Sequence, residues 1–521
     1  MGFQPTRQAG VRAAGVLVTL GLLVGCAQQS VPTPAWMLVP PWTGEGPAPT
    51  GVPTPSSTPH PVSLLLPPTR MPGQPYATPT PDVIRPTPAL RTETEYHTVQ
   101  FGDTLNRIAY AYSVGVSQIM AANGIANPDV LSVGQVLVIP PPSGELSGPA
   151  FKIIPDSEAI YGPASALLDV QQFVSERGGY LSRYSGEAEG RLLSGAQIVM
   201  LVAQWYSVNP RLLLSLLEYQ SHWVTRPDVP AETLVYPMGF VRAGYEGLYS
   251  QLAWAADALN EGFYAWRAGW EGPFLLADGQ VILPGAGINA GTAAVGWLFS
   301  QLYGSTQWPG AVGENGLYQA YVNLFGIPFD LAVEPLLPPD LRQPVLQLPF
   351  EAGTVWSFTG GPHSAWGTGA AWGGLDFAPP GEALGCVLSN AWVVAAADGV
   401  ILRSEDGQVI QDLDGDGLEQ TGWVLLYLHI ETRDRVQAGA VVRAGDRIGH
   451  PSCEGGVSSG THVHLARKYN GEWIPADSWL PFNLDGWVSA GLGWMYDGTL
   501  SRAGVVLEAC SCRFPGNQIG R

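Results

Sequence analysis

Between residues 96 and 140 the chain moves from a short extended stretch into a helical period and back. In "YHTVQFGDTLNRIAYAYSVGVSQIMAANGIANPDVLSVGQVLVIP", Asp103 and Thr104 precede Leu105, Ile108, Ala109 and Tyr112 at helical spacing, which predicts a helix start. A second helix is predicted over 116–123 and a closing strand at "QVLVIP", giving the order βααβ. From about 155 to 335 the pattern turns helical and aromatic, as in "SGAQIVMLVAQWYSVNPRLLLSLLEYQSHWVT" at 194–225. Beyond that, short β-branched runs such as "WVVAAADGVILRSEDG", "GWVLLYLHI" and "AGAVVRAGDRIGH" alternate with Gly and Asp turns. That pattern predicts a mainly antiparallel β domain. A multidomain chain follows, because 521 residues exceed what one core accommodates.

Two segments carry no core. Residues 1–26 join Arg7 and Arg12 to the apolar run "AAGVLVTLGLLVG", the pattern of an export signal too short for a comfortable membrane span. The "LVGC" that ends it resembles a bacterial lipobox, which implies a lipoprotein signal peptide and lipidation of Cys26, hence a membrane partner through the N-terminus. Residues 27–92 are dense in Pro, Thr and Ser and read as an extended, disordered tether. A net charge of -19 excludes a nucleic-acid partner, which needs clustered Lys and Arg. The cysteines after Cys26 are Cys386, Cys453, Cys510 and Cys512, an even set that reads as two disulfides in an exported domain. Cys510 and Cys512 would close a strained ring together, so each is expected to pair elsewhere.

The 94–141 segment resembles the lysin motif (LysM) over its whole length, with "V-x-x-G-D-T-L-x-x-I-A" and "L-x-V-G-Q-x-L-x-I-P" in place. The resemblance implies binding of N-acetylglucosamine-containing glycans such as peptidoglycan. It points to Gly102, Asp103, Thr104 and Leu105 on one side of a groove and to Asn127, Pro128 and Asp129 on the other. The 194–225 stretch resembles the entry and catalytic helix of lysozyme-like lytic transglycosylases. Where that family places its acid before a serine, this chain has Gln220 before Ser221, and an amide cannot protonate a glycosidic oxygen. The nearest acid, Glu218, should face away from that position. A mainly α, non-catalytic lysozyme-like domain over 155–335 is expected, with an unrelated helical spacer as the alternative.

Chemistry gathers near the C-terminus. "GTHVHLARKYNGEW" sets His462 and His464 two apart in a strand, where both project from one face. His429 ends the apolar "YLHI", and Asp376 lies between Leu375 and Phe377, where a buried charge needs a cation or hydrogen bonds. Zinc with three protein ligands and one open position would satisfy it. The arrangement resembles the lysostaphin-type zinc metallopeptidases over roughly 350–485, in "V-A-A-A-D-G", "L-Y-L-H", "A-G-D-R-I-G" and "S-S-G-T-H-V-H". Many members carry H-x-x-x-D, but Trp372 stands where that histidine would be. "GGPH" at 360–363 and "GLDF" at 374–377 instead follow the beta-lytic branch.

That resemblance implies a zinc metalloendopeptidase domain over 345–512, with His363, Asp376 and His464 as metal ligands. His429 and His462 would position and deprotonate the attacking water and stabilise the anionic intermediate. Trp366 and Trp372 are candidates for the groove wall or for core, and His450 for a hydrogen-bonded structural histidine. In "DLDGDGLEQTGW", Asp412, Asp414 and Asp416 imitate the start of a calcium loop, yet the twelfth position is Trp423. Calcium binding and an acidic hairpin turn both remain open. The combined expectation is an exported, lipid-anchored hydrolase that cuts peptidoglycan peptide bonds and is targeted by LysM. A non-catalytic wall-binding or amidase-regulating lipoprotein is the alternative.

Overall fold

A computed structural model describes residues 90–521 except 101–102, 143–145, 271 and 382–383. Cys26, Gly102, the export signal and nearly all of the tether therefore lie outside the described residues. Among the described residues, no helix is long and apolar enough to cross a membrane.

The first unit runs β1 (Glu95–Thr98), α1 (Leu105–Ala111), α2 (Val116–Asn123) and β2 (Val136–Ile139), with β1 and β2 antiparallel. Thr104 caps α1 through its hydroxyl, which accepts from the Arg107 amide. Leu105, Ile108, Ala109, Ile119, Leu137 and Ile139 form its small core. The unit is not free of its neighbour, because Tyr110 on α1 meets the edge of Trp297 at 5.1 Å between ring centroids.

The middle unit comprises β3 (Leu146–Ser147), α3 (Asp156–Ala159), α4 (Val170–Arg177), β4 (Ser185–Ala188), β5 (Arg191–Ser194), α5 (Gly195–Tyr206), α6 (Pro210–Ser221), α7 (Leu248–Arg267), β6 (Phe274–Leu275), β7 (Val281–Leu283), α8 (Ala290–Leu302), α9 (Trp308–Ala311) and α10 (Leu317–Phe325). Ser194 and Gln197 form a capping box at the start of α5. Asn209 caps α6, whose first position is Pro210, where a missing amide costs nothing. The Glu218 side chain turns to the end of its own helix. Its carboxylate accepts from the amides of Val224 and Thr225 at 3.1 Å and from the Thr225 hydroxyl, and so caps the turn after α6. Gln220 accepts from the Tyr303 hydroxyl.

The C-terminal unit is built on β8 (Val355–His363), β9 (Gly374–Ala378), β10 (Val393–Val394), β11 (Gly399–Glu405), β12 (Gln408–Asp412), β13 (Trp423–Leu428), β14 (Val441–Val442), β15 (Arg447–Gly449), β16 (Val463–Tyr469), β17 (Glu472–Trp473), β18 (Asn483–Leu484), β19 (Trp487–Gly491), β20 (Gly498–Arg502), β21 (Val505–Glu508) and β22 (Gln518–Gly520). The main sheet has the order β14-β11-β12-β13-β16-β9-β8-β22, with β17 on β16, and its pairs are antiparallel. β18 to β21 form a second antiparallel sheet. The unit runs past the expected boundary at 512, because β22 pairs with β8 and continues the sheet edge.

Both faces of the main sheet are covered. Leu425, Tyr427, Val463 and Leu465 point into the β unit's own core, while Val424, Leu426, Leu428 and Ala466 join the core of the helical unit. This two-sided burial explains why "WVLLYL" reads as a continuous apolar run rather than an alternating one. The covered face also holds charge: Glu419 accepts from Arg403 at 2.8 Å and from Lys468 at 2.6 Å. Those two cations outweigh burial and hold the Glu419 carboxyl down at about 2.

The cysteine expectation is corrected. Cys386 pairs with Cys453, and Cys510 pairs with Cys512. The first pair ties two loops beside the cleft and, among the described residues, leaves the last two cysteines each other. The Asn517 side-chain amide holds their tight turn by donating to the carbonyls of both Cys510 and Cys512.

Candidate metal centre

Three neighbouring strands bring the candidate ligands to one point. His464 on β16 is the direct cross-strand partner of Asp376 on β9, and His363 on β8 pairs with Gly374. Irregular register on β8, between Phe358 and Gly360 and again between Gly360 and His363, re-aims its end toward the site. Two glycines make the room. A Cβ at Gly360 would lie 2.6 Å from Asp376 Oδ2, and one at Gly374 would lie 2.1 Å from His464 Cε1.

The hydrogen bonds fix which ring atoms are available. His363 Nδ1 lies 2.8 Å from the Gly361 carbonyl, and His464 Nε2 lies 3.1 Å from the Ala365 carbonyl. A carbonyl only accepts, so those nitrogens carry the protons and the opposite nitrogens of the neutral rings are bare. The bare atoms face each other: His363 Nε2 and His464 Nδ1 are 2.9 Å apart, and Asp376 Oδ1 is 3.3 Å and 3.1 Å from them. With both rings neutral, three acceptors converge with no donor among them, in residues only 4%, 4% and 7% exposed. Such a set is unfavourable unless a cation or proton stands between them. Two imidazoles and one carboxylate with an open side suit zinc.

Electrostatics agree with this demand for positive charge. Burial alone would raise the Asp376 carboxyl, but His363 and His462 pull it well below the usual carboxylate range. Burial lowers the His363 imidazole, and the charge and hydrogen bond of Asp376 overcome that and raise it. His464 is lowered, chiefly by burial.

His429 and His462 stand beside this trio with their rings 4.4 Å apart. Both repeat the same device: His429 Nδ1 bonds the Glu454 carbonyl at 2.8 Å and His462 Nδ1 the Gly460 carbonyl at 2.7 Å. Their Nε2 atoms are left for the cleft, with His462 Nε2 3.7 Å from Asp376 Oδ1. His429 adopts φ 66° at the end of β13, a left-handed conformation that costs a non-glycine residue energy and is held here by the surrounding loops. Burial, followed by His462 and His464, pushes its imidazole down to about 3.

The cleft is lined on one side by Pro379, Val387, Gly456 and Ser458 and on the other by Glu189, Trp205, Tyr206 and Tyr249 of the helical unit. Trp366 lines it too, edge-on to Trp205 at 5.2 Å. Trp372 is not among the lining residues, and its carbonyl accepts from the Ala476 amide. Tyr496 was not foreseen. Its ring stacks on His363 at 4.2 Å, and Gly361 and Pro362 exchange backbone hydrogen bonds with it. The left-handed φ of 67° at Tyr496 marks a special position, but no spacing in the sequence links it to His363. His450 is structural: its Nδ1 bonds the Ala391 carbonyl and its ring lies 3.9 Å from Trp392.

The remaining candidates divide. Asp412, Asp414 and Asp416 do lie within ligand distance of one another. Their oxygens already cap the turn: Asp412 accepts from the amides of Asp414, Gly415 and Gly417, and Asp416 from Leu418 and the Thr421 hydroxyl. Burial and the neighbouring Asp412 and Asp416 push Asp414 up to about 7. In the first unit Asn127, Pro128 and Asp129 are exposed and Thr104 is the cap of α1. Asp103 accepts from the Gln100 amide and pairs with His97 at 2.8 Å. The Leu105 side chain is 1% exposed and belongs to the core, because the first residue of α1 faces inward.

Comparison with known proteins bears on all three units. The LysM domain family matches residues 97–140, and the family described as LasA, N-terminal domain, matches residues 152–337. Protease LasA of Pseudomonas aeruginosa (strain UCBPP-PA14) is 24% identical over 359 residues, which cover 64% of this chain and 77% of that protein. The beta-lytic metalloendopeptidase of Lysobacter enzymogenes is 28% identical over 160 residues, 30% of this chain and 86% of that protein. Among solved structures, the M23 metalloprotease pseudoalterin is 26% identical with a TM-score of 0.27, covering 32% of this chain and 96% of that one. The helical unit, compared above with lysozyme-like transglycosylases, is thus matched by the LasA N-terminal family. The chain joins a LysM domain and a LasA N-terminal domain to a region homologous to protease LasA and to beta-lytic metalloendopeptidase.

Proposed function

We propose that the protein is a zinc-dependent endopeptidase that hydrolyses peptide bonds of peptidoglycan, exported and lipid-anchored through Cys26, with LysM holding the glycan. The observation that carries this reading is the convergence of His363 Nε2, His464 Nδ1 and Asp376 Oδ1 on one point in the cleft. These three residues would hold the ion. When bound, zinc supplies Lewis acidity to the scissile carbonyl and to a water.

The chain's own residues do the rest. His429 is held neutral by its surroundings, so its Nε2 accepts a proton from the attacking water. His462 stands within reach of the same space, and as an imidazolium its Nε2–H donates to the oxygen on which negative charge develops, its Nδ1–H remaining on the Gly460 carbonyl. The proton taken at imidazole Nε2 passes to the departing amine. The aromatic wall of Trp205, Tyr206, Tyr249 and Trp366 excludes water from one side of the bound peptide.

The test is product chemistry on purified peptidoglycan. A peptidase releases amino groups, whereas cleavage of the glycan by the helical unit would release reducing ends or anhydro-sugars. Amino-group release that disappears in His462→Ala supports the proposal; reducing ends without amino groups would refute it.

A further inference from the structure

The stretch Ser364–Gly373 that joins the two candidate ligands His363 and Asp376 is not held by the β unit alone. It lies against α7 and α5 of the helical unit. Asp257, on α7, accepts from the Thr368 amide at 2.9 Å, from the Gly369 amide at 2.9 Å and from the Thr368 hydroxyl. The approach is close along the backbone, since a Cβ at Gly369 would lie 2.1 Å from the Asp257 carbonyl oxygen. Ala365, Ala370 and Ala371 are buried in the core that the helices form. At the start of the same stretch, the Ala365 carbonyl bonds His464 Nε2 and the Ala365 amide bonds the Ala371 carbonyl.

These contacts make one path. Asp257 fixes Thr368 and Gly369, the closed stretch fixes the Ala365 carbonyl, and that carbonyl fixes the tautomer and aim of His464. We infer that Asp257 is a positioning residue for the metal centre, reaching it from the helical unit through the stretch Ser364–Gly373. The inference rests on the zinc peptidase reading. Its physical basis is general: partners that orient ligating histidines contribute about 10–100-fold to metal affinity. Three donors converging on one carboxylate hold such a stretch more firmly than contact alone, because charged acceptors make stronger hydrogen bonds.

The test uses the full chain. Zinc affinity is measured by competition with a chromophoric chelator for the wild type, Asp257→Ala, Asp257→Asn and Arg191→Ala. Amide hydrogen exchange at Thr368 and Gly369 is read in the metal-free proteins. Arg191→Ala breaks another bond between the units, to Glu405 and Asp406, without touching the stretch. Asp257→Ala should lower zinc affinity about tenfold or more and speed exchange at both amides. Asp257→Asn, which keeps one carbonyl acceptor, should recover most of the affinity, and Arg191→Ala should match the wild type. Unchanged affinity in a folded Asp257→Ala protein would overturn the inference, as would an equal loss in Arg191→Ala. A wild type that binds no zinc would instead sink the peptidase reading, while the exchange data would still report whether Asp257 holds the stretch.

Discussion

Substituting Gly374 with alanine isolates the geometry of the metal centre. The glycine sits on β9 directly across from His363, without a left-handed φ, so alanine meets no backbone penalty there. Its Cβ would stand 2.1 Å from His464 Cε1, 2.8 Å from Nε2 and 3.0 Å from Nδ1. Carbon atoms separate to about 3.5 Å at contact, so the imidazole must retreat by more than an ångström. A zinc site tolerates about 0.2 Å. The ring cannot retreat freely either, because its Nε2 is tied to the Ala365 carbonyl. The expected result is a loss of zinc affinity of at least about a hundredfold, beyond what loss of an outer partner alone produces. Overpacking should cost about 1–3 kcal/mol of stability. Gly310→Ala is the control, since nothing lies within 4 Å of its would-be Cβ. Chelator competition and thermal unfolding, each with and without zinc, read the two effects. A folded Gly374→Ala protein that binds zinc within threefold of wild type would refute the placement of His464 as a ligand.

Three other outcomes follow from the same geometry. His429→Ala and His462→Ala should keep zinc and lose about 10²-fold or more in peptide-bond cleavage, measured as amino-group release; loss of zinc in either would make it a ligand instead. In the metal-free protein the folded state resists protonating His429, whose imidazole is pushed from 6.5 to about 3. The unfolded chain therefore binds more protons below pH 6.5, and this contribution to stability is present above that pH and lost as pH falls toward 3; His429→Gln should flatten that part of a denaturant-midpoint profile. Asp412→Ala should destabilise the fold by about 1–3 kcal/mol with or without added calcium, because it strips the acceptor from three turn amides; a change seen only with calcium would favour an ion in that turn.

Much of the site was legible because it obeys short-range rules. His462 and His464 project to one side by strand alternation, and the apolar neighbours of Asp376 announced a carboxylate in need of a partner. The pairing of His363 with Asp376 was legible only through family spacing, since the stretch between them is shaped by contacts that spacing does not encode. Asp257 could not have been read: a single acid on an amphipathic helix looks solvated until α7 is laid against the β unit. Tyr496 was hidden for the same reason, reaching His363 through a turn far along the chain. The Cys510–Cys512 pair was missed because pairing elsewhere required Cys386 and Cys453, which take each other. The end of the β unit was set too early because β22 is three residues of unremarkable sequence whose strand character comes from pairing with β8.

The most direct measurement is metal content of the purified full-length chain, wild type beside a His363→Ala, Asp376→Ala and His464→Ala set, with folding verified by circular dichroism. One zinc per chain in the wild type, and none in the three variants, is the predicted result. A folded wild type without zinc, or zinc retained when any of the three is removed, would contradict the account.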